Sequence, residues 1–393
     1  MTNPYKSNIW KMYLVTFIRH LTFLGGVLIP FFVDWGGLNF KQILFLQSWF
    51  AISIFVLEVP TGVVADKWGR KHSIILGTTV AAFGAFLYAS IPNFYIFMLA
   101  EFIFAIGYAL ISGADEALIY DSLKKIRKTK MAKKIGANYR SYGLLGMVIA
   151  APIGSFIGVN FGLQWPMFLE GIVFLMVIPV LMTIKEPVTS KKQESERYLK
   201  IMKTGLKYFA KHRILKILTF NLIAVNIIGL LTVWIYQGLL KGIGFNILYF
   251  GTIHAVFVIF QIIIIKKSEF FEKLLGSNRR FLTFSSWIGG MFCILAAIFV
   301  NNLLFILAYV FIGGGFLLSR SSVFFAYLNK FTPSKERATI LSAVSMIGKL
   351  GWAFAGPVMG YIIDFSFSYA LLTMGIVAII VPIISRVEES MLG

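Results

Sequence analysis

The sequence predicts an all-α membrane protein with twelve transmembrane helices arranged as two pseudo-symmetric bundles of six. Of its 393 residues, 58% are hydrophobic and only 14% are charged, and the mean hydropathy is +0.81. A water-soluble domain of this size does not carry so much apolar surface. The apolar residues also fall into segments of about 20 residues, the length that spans a bilayer, and the two halves of the chain repeat one another.

Twelve apolar segments are long enough to cross a membrane. They lie near residues 9–33, 40–65, 73–91, 94–121, 136–158, 164–184, 214–238, 246–265, 281–300, 302–328, 338–363 and 368–386. The first segment is full length, contains Arg19 and His20, and is followed by no small-residue cleavage site. We therefore expect it to stay as the first helix and not to be a signal peptide.

The basic residues predict the orientation. Of the 37 Lys and Arg residues, 31 lie on one side of the predicted membrane or at its helix ends, and only Lys41 and Lys241 lie on the other. Because basic loops remain in the cytoplasm, we expect an integral protein of the cell membrane with both termini cytoplasmic. The same asymmetry accounts for the net charge of +20, so no nucleic-acid partner is predicted.

The longest polar connection divides the chain into 1–184, a cytoplasmic loop 185–213, and 214–393. An offset of 205 residues aligns the halves, since Gly143–Pro152 reads GLLGMVIAAP and Gly348–Pro357 reads GKLGWAFAGP. Small residues and a proline at matched positions allow close helix packing and a bend. Each domain is therefore predicted to be one copy of a six-helix repeat.

A motif between the second and third segments carries a family resemblance. Its residues are Gly62, Asp66, Lys67, Gly69, Arg70 and Lys71, with a degenerate second copy at 272–280. This loop resembles that of the major facilitator superfamily, and the resemblance extends over the six-plus-six layout of the whole chain.

The resemblance implies a cytoplasmic latch. In the family, the Asp of this loop lies near the start of helix 11 and the Arg pairs with an acid at the end of helix 4. For this chain, Asp66 is then expected to face the helix that begins near Glu336, and Arg70 to pair with Asp121. A carboxylate at a helix N-terminus gains about 0.3 to 1 kcal/mol, and this contact would exist only while the cytoplasmic side is closed.

Other parts of the sequence are mixed in their support for drug antiport. The segment from Glu58 resembles the loop of some tetracycline exporters. In contrast, the antiporter motif of helix 5 is incomplete, with Ala151 and Ser155 in place of glycines, whereas helix 11 has Gly356, Pro357 and Gly360. The helix 4 arginine of many proton-coupled drug exporters is absent, and Glu101 lies near that depth.

Charged residues inside predicted helices are the candidates for coupling or substrate binding, because each costs about 2.5 to 3.5 kcal/mol in lipid. Glu101, Tyr108, Ser112 and Asp115 share one face of helix 4 at 100° per residue. Glu101 is expected to lie near Arg19. The two form a fixed structural ion pair, or Glu101 takes up a proton and releases Arg19 during transport.

Asp115 and Arg320 are 205 residues apart, in equivalent helices. Opposite charges at equivalent sites predict a gate in which Asp115, with Glu116, closes the inner mouth against Arg320; the alternative is that each is solvated at the membrane edge. Lys349 in helix 11 binds an anionic group, partners an acid or extends to the membrane surface. Asn226 in helix 7 and His254 in helix 8 add polar groups.

We therefore expect a secondary active transporter working by alternating access. Its partners are protons, a small-molecule substrate and the lipid bilayer, and we expect it to act as a monomer. Proton-coupled export of a lipophilic or cationic compound is the first interpretation, and uptake or exchange of an anionic or sugar-like solute is the second. A receptor or scaffold on the same fold is a remote third.

An enzyme is not predicted, because the sequence has no Walker loop, no paired metal-ligand spacing and no assembled catalytic set. No cofactor or metal site is expected. The lone Cys293 excludes an internal disulfide.

Overall fold

The computed structural model describes residues 4–187, 207, 209–330 and 337–392, without the side chains of Val59, Asp66, Ser322, Val323 and Ser342 and those at 325–330 and 337–339. In these ranges all regular secondary structure is helical, as the sequence predicts. The main helices are α1 Pro4–Arg19, α2 Phe40–Trp68, α3 Arg70–Tyr88, α4a Phe94–Ile111, α4b Ala114–Lys125, α5 Ala132–Phe161, α6 Gln164–Met182, α7 Arg213–Gly242, α8 Phe250–Lys266, α9 Asn278–Ile298, α10 from Leu303 to Lys330, α11 Arg337–Phe365 and α12 Phe367–Ser385.

Ten helical stretches in the described residues are long and apolar enough to cross a membrane. The other two of the twelve predicted spans are the first and the third. The first is interrupted after α1, which has only 16 residues. The third, α3, begins with Arg70, Lys71 and His72, and these three side chains lower its average hydropathy.

The first span is broken, whereas the sequence predicted one helix over 9–33. After α1 the chain forms a 3-10 turn at Phe23–Gly26, a single α turn and a π-helical turn at Phe31–Trp35. The break packs closely on α5, because a Cβ at Gly26 would lie 2.1 Å from the carbonyl oxygen of Ala151, and one at Gly154 would lie 1.8 Å from that of Phe23. Glycine is needed where two backbones approach this closely.

The fourth span is also broken, although it was predicted as one helix over 94–121. Gly113 has a φ of 75°, in the left-handed region that favours glycine, and it separates α4a from α4b. The helical register of Glu101 therefore does not carry through to Asp115.

The chain forms two compact units. The first contains Met1–Leu38, Trp49–Leu199 and Ile247–Ala255, and the second contains Asn39–Ser48, Lys200–Asn246 and Val256–Gly393. The start of α2 thus belongs to the second unit and the start of α8 to the first. The domain boundaries at 184 and 213 remain a prediction, since most of 185–213 lies outside the described residues.

The 205-residue repeat is visible in the packing within each unit. In the first unit the start of α8 packs on α5, where the Ser155 hydroxyl donates to the Leu248 carbonyl at 2.8 Å. In the second unit the start of α2 packs on α11, where a Cβ at Gly360 would lie 2.7 Å from Lys41 Cα. Since Ser155 and Gly360 are 205 residues apart, the fifth helix of each repeat makes the same kind of contact at the same position.

One end of the first unit carries most of its basic residues, and we call it the basic end. An apolar core lies beneath it, formed by buried side chains of α1, α3, α4b, α5 and α6 that include Val15, Ile74, Leu118 and Leu181. This core fixes the ends of α1 and α4b against each other, and the main candidate site lies between these two ends.

Candidate functional site

The main candidate site is an ion pair between Arg19 and Asp115 in the first unit. Arg19 Nη2 lies 3.1 Å from Asp115 Oδ2, and the two side chains are 9% and 11% exposed. The Tyr139 hydroxyl donates to the same carboxylate oxygen at 2.7 Å, and it accepts from Arg19 Nη2 at 3.0 Å. Three helices, α1, α4b and α5, therefore meet at one buried carboxylate.

The helix ends favour both charges of this pair. Arg19 lies in the last turn of α1 and Asp115 in the first turn of α4b, where the helix dipole stabilises a cation and an anion respectively. Asp115 Oδ1 also accepts from the backbone N–H of Glu116 at 2.8 Å. Arg19 Nη1 is buried and donates to no described group, so Asp115 supplies the counter-charge for a guanidinium that is not fully satisfied.

The predicted contact between Arg19 and Glu101 is wrong. Glu101 is 6% exposed and accepts from the Tyr88 hydroxyl at 2.8 Å. It lies 14 residues before Asp115, or about 20 Å along a helix, so Arg19 cannot reach both acids. The sequence placed the two acids on one face, and only the position of the α1 end selects between them.

Aromatic side chains surround Tyr108 between these acids. Its ring contacts Phe50, Phe104 and Phe174, with centroids 5.8, 6.1 and 6.4 Å away. Tyr108 is 39% exposed and lies within electrostatic range of Arg19, Glu101 and Glu170. The first unit therefore presents an accessible aromatic surface next to buried acids.

Glu170 is a functional candidate that the sequence reasoning missed. It is half-buried in α6, and its Oε1 accepts from the backbone N–H of Leu24 at 2.8 Å. This N–H belongs to the 3-10 turn where the first span is broken, so Glu170 supplies an acceptor that a continuous helix would have supplied itself. The signal was available, since Glu170 is the one acid within the predicted sixth segment.

The motif loop places some of its predicted residues together. Arg70 forms a salt bridge with Asp121. Gly69 has a φ of 94° and opens α3, and Lys71 Nζ donates to the Met182 carbonyl at 2.7 Å. Gly62 and Lys67 are exposed. The predicted contact of Asp66 with the helix near Glu336 falls on an Asp66 side chain and a residue 336 that lie outside the described part of the chain.

Two glutamates that the sequence analysis did not identify hold equivalent helix starts. Glu186 accepts from the backbone N–H groups of Arg70 and Lys71 at 2.9 and 2.8 Å. Glu389 accepts from those of Asn278 and Arg279 at 3.0 and 2.9 Å. Each carboxylate therefore binds the N-terminus of the third helix of its repeat, at about 0.3 to 1 kcal/mol for the charge–dipole interaction.

A third carboxylate has the same role in the second unit. Asp364, in the last turn of α11, accepts from the backbone N–H groups of Phe40 and Lys41 at 2.8 and 2.9 Å. It fixes the first turn of α2 to the end of α11.

Arg320 is buried in the second unit. It is 1% exposed, and its Nη2 donates to Asn221 Oδ1 at 2.6 Å. Asn221 in turn donates to the Ser385 hydroxyl at 2.6 Å, and the Phe324 ring lies 5.1 Å from the guanidinium carbon. Arg320 Nε and Nη1 have no hydrogen-bond partner, and the salt bridges of the described residues do not include this side chain.

The remaining predicted residues lie apart from these centres. Glu116 forms an exposed salt bridge of 3.1 Å with Arg140. Asn226 and Lys349 are half-buried on α7 and α11, and His254 is buried on α8. The polar residue of α7 that binds Arg320 is thus Asn221 and not Asn226. Asp115 and Arg320 each have a partner within their own unit, and the gate between them stays a prediction.

Comparison with known proteins decides the family. The model of the Major Facilitator Superfamily matches residues 12–316. This chain belongs to the Major Facilitator Superfamily. It is therefore an integral membrane transporter and not an enzyme, and the predicted fold class is confirmed.

Relatives and solved structures agree with this membership. The chain is 25% identical to the "Uncharacterized MFS-type transporter YxaM" of Bacillus subtilis (strain 168), a match that covers 88% of this chain and 86% of that one. It is 26% identical to the "Quinolone resistance protein NorA" of Staphylococcus aureus (strain MRSA252), over 70% of each chain.

The solved structures are alike in fold at low sequence identity. The nucleoside transporter NupG superimposes with a TM-score of 0.78 at 15% identity, over 96% of this chain and 98% of that one. A POT family transporter in complex with a thioalcohol conjugated peptide gives a TM-score of 0.76 at 11% identity, over 96% and 94%.

Proposed function

We propose that this superfamily member exports a small lipophilic or cationic compound in exchange for protons, by alternating access. The observation that carries the proposal is the buried Arg19–Asp115 pair, in which one carboxylate holds a guanidinium that has no other counter-charge among the described residues. Such a pair responds to the gain of a single proton.

The coupling step assigns the proton to Asp115. When Asp115 takes up a proton from water, its negative charge is lost and Arg19 is left as an uncompensated buried cation. Removing one partner of a buried pair costs about 3 to 5 kcal/mol. A proton that moves through 100 mV releases about 2.3 kcal/mol. The two energies are of similar size, so proton uptake is sufficient to favour a state in which Arg19 has moved to water or to another partner.

The site for the compound is proposed at the aromatic surface around Tyr108. Aromatic faces bind lipophilic cations through burial and cation–π attraction, worth about 0.5 to 2 kcal/mol per ring, and Glu101 and Glu170 add negative charge nearby. The printed name of the relative NorA, a quinolone resistance protein, also supports export.

The motif loop is proposed as a latch at the basic end, which the charge distribution predicts to be cytoplasmic together with both termini. The Arg70–Asp121 salt bridge supports it, because this contact joins the start of α3 to α4b, the helix that carries Asp115. A latch there would connect the proton site to the closing of that end.

A pH gradient imposed on membrane vesicles tests the proposal. In inside-out vesicles, we expect an acidic interior to drive accumulation of a fluorescent lipophilic cation, because outward proton flow is exchanged for inward movement of the compound. A protonophore should abolish the accumulation, and vesicles without the protein provide the control.

The sign of the response separates the functions. Accumulation driven by an alkaline interior indicates proton-coupled uptake, and a flux that ignores the gradient in both directions contradicts proton coupling altogether.

The second candidate function is uptake or exchange of an anionic or sugar-like solute. Arg320 favours it, since a buried guanidinium with two unpartnered nitrogen atoms can bind a carboxylate or a phosphate. The printed substrates of the structurally similar transporters, nucleosides and peptides, are polar solutes of this broader kind.

A further inference from the structure

A continuous groove runs along α1 and α5 of the first unit. Its first part is a cavity of about 520 Å³ lined by Lys6, Ser7, Trp10, Tyr13, Lys128 and Ile135, among others. Its second part is a cavity of about 390 Å³ lined by Trp10, Tyr13, Leu14, Phe17, Tyr142, Leu145 and Ile149. Trp10 and Tyr13 line both parts, so the two cavities form one groove.

The two ends of the groove differ in chemistry. Lys6 and Lys128 are exposed at one end, whereas the other end is lined by apolar and aromatic side chains only. Several of these remain open to the surroundings, including Trp10, Tyr142, Leu145 and Ile149, at 56%, 41%, 46% and 49% exposure. A ligand that fills the groove must have a polar head and an apolar tail.

The charge of the head must be negative. Seven Lys and Arg residues and no acid occupy 124–134. The nearest acids along α4b are already paired, Asp121 with Arg70 and Glu116 with Arg140. The positive potential at this end of the groove is therefore uncompensated, and each basic side chain there adds to the attraction of an anionic headgroup.

The length of the groove fits one leaflet of a bilayer. From Lys6 to Phe17 the groove follows 11 residues of α1, or about 16 Å. The hydrocarbon part of one leaflet is about 15 Å thick. An acyl chain whose headgroup lies at Lys6 and Lys128 would therefore end near Phe17 and Ile149.

We propose that this groove is a binding site for an anionic phospholipid, with the phosphate between Lys6 and Lys128 and one acyl chain along α1 and α5. Stacking of Tyr13 on Tyr142, with ring centroids 5.0 Å apart, forms the floor at the middle of the chain. The site is separate from the Arg19–Asp115 pair, and it does not depend on which compound the protein transports.

The test measures lipid binding to the purified full-length protein by native mass spectrometry and thermal unfolding in detergent. Phosphatidylglycerol should bind at least about tenfold more tightly than phosphatidylcholine with the same acyl chains. The Lys6→Gln/Lys128→Gln double variant should lose this preference. The Lys266→Gln/Lys267→Gln variant removes the same charge from exposed positions of the second unit, and it should keep the preference.

Two further ligands distinguish the lipid from a free anion. Glycerophosphate carries the headgroup phosphate without an acyl chain and should give no thermal shift, whereas affinity for phosphatidylglycerol should rise from short to long acyl chains. Equal binding of the two lipids by the native protein would overturn the proposal. So would an unchanged preference in the Lys6/Lys128 variant, or a thermal shift from glycerophosphate equal to that from the lipid.

Discussion

Replacing Asp115 with Asn is expected to lower the free energy of unfolding by about 3 kcal/mol. The substitution keeps the size of the side chain but removes the charge that holds Arg19, and the guanidinium is then left buried without a counter-charge. Thermal unfolding in detergent, followed by intrinsic fluorescence, measures the loss. The Arg19→Gln/Asp115→Asn double variant should be more stable than Asp115→Asn alone, since it leaves no uncompensated charge.

Glu116→Gln is the matched control on the same helix. Its salt bridge with Arg140 has the same length of 3.1 Å, but the two side chains are 72% and 62% exposed, so the substitution should cost no more than about 1 kcal/mol. If Asp115→Asn and Glu116→Gln destabilise the protein equally, the buried pair does not have the importance assigned to it.

Replacing Gly154 with Ala is expected to disrupt the packing of the broken first span on α5. The added methyl carbon would lie 1.8 Å from the carbonyl oxygen and 2.6 Å from the carbonyl carbon of Phe23. These are backbone atoms, so the two segments must separate. We expect a loss of several kcal/mol, in the upper range for single substitutions, or failure to recover folded protein after purification.

The control is Gly136→Ala in the same helix. A Cβ at Gly136 meets no atom within 4 Å, and alanine is favoured over glycine inside a helix by about 1 kcal/mol. Gly136→Ala should therefore be neutral or stabilising in the same thermal unfolding assay. Equal tolerance of the two substitutions would mean that the close contact between Phe23 and Gly154 is not present.

Much of the fold follows from local properties of the sequence. The helical class follows from the spacing and length of the apolar segments, and the salt bridge between Arg70 and Asp121 follows from the family motif. The offset of 205 residues predicts which residues of α5 and α11 lie at close helix contacts, because Gly and Ala at matched positions have the same packing role in both repeats.

The partner of Arg19 could not be predicted in the same way. Helical periodicity places Glu101 and Asp115 on one face, but the choice between them depends on where α1 ends and on the left-handed turn at Gly113. Glu170 and Glu186 pair with backbone N–H groups that lie more than 100 residues away in the chain. No local pattern predicts such a contact, because a carboxylate that binds a distant helix end has the same sequence signature as one that faces solvent.

Transport by Asp115→Asn in proteoliposomes tests the central claim most directly. The variant mimics an Asp115 that has already taken up its proton, so we expect it to exchange compound across the membrane without a gradient at a rate near that of the native protein. It should fail to accumulate compound when a pH gradient is imposed, whereas Glu116→Gln should accumulate it normally. Gradient-driven accumulation by Asp115→Asn at the native level would contradict the assignment of the proton to Asp115.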